Sequence, residues 1–202
     1  MHEAREAAPY PGHSIFQESF FFCTIKSVGD DPGAGEVYVE TGVDGYSRMA
    51  FAKICSSRNA TTAADLLQTR VLPFFEHYGV VIERVFTPKT IEYHGLPPVH
   101  PFETLLITSN IEHQHFDPAY NTNSFCEQFF HVLQREFFTQ ALRKRFHESV
   151  DTLQHDLDAF VETYNSERIS FETEAQDRPP LRIFLDAAEK CPPRYPNSPL
   201  PS

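Results

Sequence analysis

The feature that most constrains the fold is a change of apolar period near residue 60. Val37, Val39, Thr41 and Val43 alternate, as side chains on the two faces of a strand do. From Thr61 to His77, by contrast, Ala63, Leu66, Leu67, Val71, Phe74 and Phe75 recur at helical spacing, and Gly79 follows as a stop signal. The stretch from Phe16 to Ile25, rich in Phe with Thr and Ile, reads as an earlier strand. Asp30-Asp31-Pro32-Gly33-Ala34-Gly35 then turns the chain into an antiparallel hairpin. Asp44-Gly45-Tyr46-Ser47 makes a second turn, into a strand over about Met49 to Cys55. Val81 to Thr87 predicts a fourth strand ended by Pro88, and Ile111 to Phe116 a fifth. Between these, Thr90 to Pro101 is a Pro-rich loop leading into a short helix over Pro101 to Thr108. A longer helix starts near Thr122 or Asn123, either of which can cap it, and Ser149 to Tyr164 forms another. This order predicts an α/β domain with a mixed five-stranded sheet and helices packed on its faces.

A chain of 202 residues, 41% hydrophobic, suffices for one substantial core. The expected division is an N-terminal extension over 1–12, a domain over 13–170 and a Pro-rich C-terminal tail over 171–202. No apolar stretch approaches the roughly 18 to 20 residues that span a bilayer, and Met1 to Gly12 has no signal-like apolar segment, so a cytoplasmic protein is expected. Cys23, Cys55, Cys126 and Cys191 form no CxxC pair and read as reduced thiols. The 28 acidic residues outnumber 17 basic ones for a net charge of -11, which argues against a strong general grip on a phosphate backbone.

Several segments in order carry a family resemblance. Gln17-Glu18-Ser19-Phe20 resembles the Gln-Asp-Thr-Phe first-strand motif of bacterial insertion-sequence transposases with a retroviral-integrase core. Val43-Asp44-Gly45-Tyr46-Ser47 is similar to their Val-Asp-x-Tyr-Ser. Ile82 to Thr87 resembles the strand leading to Thr-Asp-Asn-Gly, and Thr122-Asn123-Ser124-Phe125-Cys126-Glu127-Gln128-Phe129 resembles Thr-Asn-Gly-x-x-Glu-Arg-Phe. His100-Pro101-Phe102-Glu103, Ile111-Glu112-His113 and Tyr164-Asn165-Ser166-Glu167-Arg168 resemble further landmarks of one branch. The resemblance covers about Pro11 to Arg168 and implies a ribonuclease H-like fold and an ancestral role in DNA integration and nucleic-acid binding. Met1 stands close to the first strand, with no helix-turn-helix region ahead of it, which suggests a remnant of a mobile element.

The family transfers phosphodiesters with two divalent ions held by converging carboxylates. Carried over by position, its two Asp and one Glu become Glu18, Pro88 and Glu127. Glu18 keeps the charge with one more methylene; Pro88 has no side-chain donor. Glu92, four residues further on, is a possible substitute ligand and also has the plainer reading of a retained loop residue. Between Val85 and Gln134 Lys89 is the only Lys or Arg, while Glu92, Glu103, Glu112, Asp117 and Glu127 are acidic, a sign that repels phosphates. The expectation is a degenerate, catalytically inactive core without a cofactor. Mg2+ or Mn2+ on Glu18 and Glu127 would follow only if activity were retained, as in a residual nuclease. DNA is expected to bind weakly or not at all. A protein-interaction or dimerisation module on the same fold, as a homodimer or with a basic protein, is the alternative; no membrane partner is expected.

Other features have two readings each. His113 and His115, two apart on a strand with His94 and His100 near in sequence, suit a metal or, more simply, ordinary surface and satisfied polar positions. Arg143-Lys144-Arg145 suits a phosphate or a solvated helix end. Phe21-Phe22, Phe74-Phe75, Phe129-Phe130 and Phe137-Phe138 suggest that one ring of each pair is left for an interface. Asp44 is expected to cap its turn rather than to catalyse.

Overall fold

The computed structural model describes residues 8–25, 35–117, 124–140, 150–168 and 178–189. Five strands, β1 (Ile15–Ile25), β2 (Gly35–Asp44), β3 (Ala50–Cys55), β4 (Arg84–Pro88) and β5 (Glu112–Phe116), form one sheet in the order β3-β2-β1-β4-β5. β1 to β3 are antiparallel, whereas β4 runs parallel to both β1 and β5, so the sheet is mixed as expected. β4 is shorter than the apolar pattern suggests, and Pro88 is its last residue, where a missing N–H is tolerated.

Helices cover both faces. Ala60–Leu66, a π-helical turn Leu67–Val71 and Leu72–His77 run together as α1. The wide turn sits just before Pro73, which has no N–H for the carbonyl of residue 69. Helix α2 is Pro101–Thr108. Helix α3 is Phe125–Val132 continued by a π-helical Leu133–Phe138, α4 is Val150–Glu167 and α5 is Pro180–Ala188. On one face Ile15, Phe51, Val85, Leu66, Phe75, Phe102 and Phe184 bury the sheet under α1, α2 and α5. On the other, Phe16, Val39, Phe86, Phe129, Leu133 and Leu157 bury it under α3 and α4.

Three expectations are corrected. Helix α3 is capped by Ser124, which accepts from the Glu127 N–H at 3.0 Å; Thr122 and Asn123 lie outside the described residues. The stretch 171–202 is not all tail, because α5 packs Phe184, fully buried, against Phe74, Phe75 and Tyr78. The Phe21-Phe22 pair is split as expected, with Phe21 exposed, but the three helical Phe pairs are not divided between core and surface. Helix α3 lies in the corner between sheet and α4, so rings about 100° apart on it both find partners. Phe130 stacks on Phe20 and Phe138 on Phe22 of β1, while Phe129 meets Tyr164 and Phe137 meets Phe160 of α4. Of these pairs' rings Phe21 alone is exposed.

Helix α4 also closes the β3 edge. The Asn165 side chain accepts from the Ala50 N–H at 2.9 Å and donates to the Ala50 carbonyl at 2.8 Å, and Gln154 accepts from the Ile54 N–H at 2.7 Å. Arg70 of α1 forks onto Asp158 at 2.6 and 3.2 Å and fixes the helix there. At the β2–β3 turn, buried Asp44 accepts from Gly12 N–H, Ser47 N–H and Ser47 Oγ–H at 2.9, 2.7 and 2.6 Å, the capping role expected of it. Cys23, Cys55 and Cys126 are free thiols, and no helix among the described residues is long and apolar enough to cross a membrane. Cys191 and Arg143-Lys144-Arg145 lie outside the described residues.

Candidate functional site

Three of the four candidate positions meet on the α3 side of the sheet. β1 pairs with β4 at Ile15 with Val85 and Phe16 with Phe86; two residues further along the same register, Pro88 comes level with Glu18. Alternation puts both on the face where Phe16 and Phe86 stack, at 5.1 Å between rings. Helix α3 arrives over them through Phe125, edge-on to Phe16, and Cys126, whose thiol reaches the Phe16 carbonyl at 3.2 Å.

The Ser124 hydroxyl joins the two acids. It accepts from the Glu127 N–H as helix cap and donates to Glu18 Oε2 at 2.8 Å. Burial pushes the Glu18 carboxyl up to about 7; the Ser124 hydrogen bond opposes this, and the neighbouring negative charge of Glu127 adds to it. Glu18 is thus divided between charged and neutral forms near neutral pH. Pro88, buried at the strand end, presents only ring carbons. Among the described residues the donor set here is two carboxylates, which does not fit the three-carboxylate, two-metal centre that the resemblance implies.

Glu92 is not brought to this point. It lies 3% exposed in the loop after β4, with Oε1 3.2 Å from Arg58 Nε and Oε2 buried without a hydrogen-bond partner among the described residues. Its charge bears on Glu40 and Tyr93, which belong to the opposite face. The register explains the separation: Glu40 of β2 pairs with Ser19, whereas Glu18 pairs with Thr41, and adjacent strand residues point to opposite sides.

On that side is a buried polar network that the sequence reading missed. Glu40, 1% exposed, accepts from Gln17 Nε2 at 2.8 Å and from the Tyr93 hydroxyl; Gln17 Nε2 also donates to the Ala63 carbonyl at 2.8 Å. Burial raises Glu40 to about 7 despite the hydrogen bonds from Tyr93, Gln17 and Ser19, and Glu92 raises it further. Tyr93, fully buried against Phe102 of α2, carries the network to the loop.

A mixed sheet in the order β3-β2-β1-β4-β5, with acids of β1 and of the helix after β5 side by side, can be compared with solved folds. It superposes on a chain of the simian T-cell lymphotropic virus intasome in complex with the PP2A regulatory subunit B56 gamma, with a TM-score of 0.66 and 16% identity over 98% of this chain. The fold is that of an integrase catalytic core. The match spans 60% of the intasome chain's length. The HTLV-2 integrase catalytic core domain in complex with magnesium, in its dimeric form, gives a TM-score of 0.61 at 10% identity, covering 88% of this chain and 99% of that one. The catalytic core domain of BIV integrase gives 0.53 at 13% identity, over 87% and 96%. The family model described as integrase core domain matches residues 127–178, from Glu127 of α3 through α4 to the approach to α5. No curated protein matches the chain. The five-stranded mixed sheet is that of the ribonuclease H-like fold.

Proposed function

We propose that this chain is an integrase-core domain of transposase descent that no longer carries out strand transfer. The observation that supports this most directly is Pro88, which stands level with Glu18 where the resemblance places the second Asp, and whose side chain has no oxygen to offer. Engagement of Glu92 by Arg58 supports it further, because the nearest acid in the loop is committed elsewhere. The net charge of -11 is in keeping with weak or absent DNA binding.

The second reading is a protein-interaction or dimerisation module. It rests on Ile91, Leu96, Val99 and Ile107, which are exposed on and before α2 and form apolar surface that a water-facing loop does not need. A basic partner or a second copy fits the charge or the patch, respectively. The related HTLV-2 core is known in dimeric and trimeric forms.

Calorimetric titration with Mn2+ of the intact protein and of Glu127→Ala, both verified as folded, tests the first reading. The expected result is no heat that depends on Glu127. Binding that disappears in Glu127→Ala, together with DNA cleavage in Mn2+ by the intact chain, would overturn it and restore a residual nuclease using Glu18 and Glu127.

A further inference from the structure

We propose that His94, Glu103 and His115 form a binding site for a divalent transition-metal ion, zinc before others, on the α2 side of the β4–β5 edge. One donor atom from each lies within 4.8 Å of the others. His94 Nδ1 stands 3.6 Å from Glu103 Oε1, and the rings of His94 and His115 meet edge-on at 5.0 Å. Bonds near 2.1 Å at tetrahedral angles put donors about 3.4 Å apart, so the first pair is at ligand spacing. Rotation of the exposed His115 ring closes the rest. Two imidazoles and one carboxylate are a zinc donor set, with the fourth position left to water.

The surroundings hold these groups as a metal site requires. β4 and β5 pair Val85 with His113 and Thr87 with His115, which places both histidines under α2. His113 is the positioning residue. Its Nδ1 lies 3.0 Å from Glu103 Oε2 and its Nε2 2.8 Å from Thr87 Oγ1, so the carboxylate is held by one oxygen and leaves the other toward His94. His100 fixes the loop that carries His94: Nε2 donates to the Ile91 carbonyl at 3.0 Å while the ring caps α2 and packs on Gly95, where a Cβ would come within 2.3 Å of it. The three ligands come from a loop, a helix and an edge strand. A bound ion therefore ties α2 and the loop to β5.

Tag-free protein, stripped with chelator, is titrated with Zn2+ against a chromophoric chelator, and with Co2+ followed by its visible absorption. One zinc ion per chain at micromolar affinity or tighter is expected, with a tetrahedral cobalt band. His94→Ala and His115→Ala, both at exposed positions, each weaken binding about tenfold or more. His77→Ala, at the end of α1 and not one of the three clustered groups, leaves it unchanged. His113→Asn, whose amide N–H replaces Nδ1–H, keeps the cobalt band, and His113→Phe shifts or loses it. With folding checked by circular dichroism, absence of saturable zinc binding overturns the proposal. So does binding that His94→Ala and His115→Ala leave at the level of the intact protein.

Discussion

At the scale of single residues, the buried acid Glu40 sets a measurable pH dependence. Its carboxyl is raised from the ordinary 4.5 to about 7 by burial, so the folded state favours its neutral form. The resulting stabilisation is complete below the unfolded value and is lost as pH rises through 7, and it amounts to about 3 kcal/mol. Thermal unfolding of the intact protein between pH 5 and 8 is expected to show this fall. Glu40→Gln, which still accepts from Gln17 and Tyr93, is expected to remove its share of the fall and to leave that of Glu18, whose carboxyl is likewise raised to about 7; parallel profiles for the two proteins would refute the assignment. None of this was legible in the sequence. Gln17, Glu40 and Tyr93 sit on two strands and a loop, and only the register brings them together. Glu18 and Glu127 can be picked out from the motifs around them, whereas the meeting of Glu103 with His113 cannot be read from the sequence, because α2 meets β5 only in three dimensions.

Among the elements, the five strands and four of the helices follow from period and turn chemistry, and α5 was overlooked although its signal was present. Pro180 stands in its first turn, and Leu181, Phe184, Leu185 and Ala188 follow at i, i+3, i+4 and i+7. Its setting among Pro, Ser and charged residues masked this. Phe184→Ala is expected to cost about 3 to 5 kcal/mol in denaturant unfolding, as for other buried phenylalanines. A cost under about 1 kcal/mol would mean that α5 is dispensable to the core. The π-helical part of α3 was equally illegible, since no local rule distinguishes it from an ordinary turn. It bears on Phe137-Phe138, whose rings both pack inward where sequence spacing suggests that one remains free.

Taken as a whole molecule, the sheet separates two chemistries. The α3 face holds Glu18 and Glu127 with Pro88 level between strands, and the α2 side holds the histidines, with Glu92 and Glu40 on that same side. Manganese and zinc titrations therefore report on different faces, and Glu127→Ala and His115→Ala distinguish them. The closure of β3 by Asn165 and Gln154 has a further bearing on how copies of this chain behave at high concentration. An outer strand with free N–H and C=O groups is a template on which another chain can crystallise its own strand. Here the Asn165 amide takes both Ala50 positions, so the domain carries its own chain terminator against sheet-by-sheet polymerisation. Asn165→Ala is expected to scatter light in a concentration-dependent manner under conditions where the intact protein stays clear.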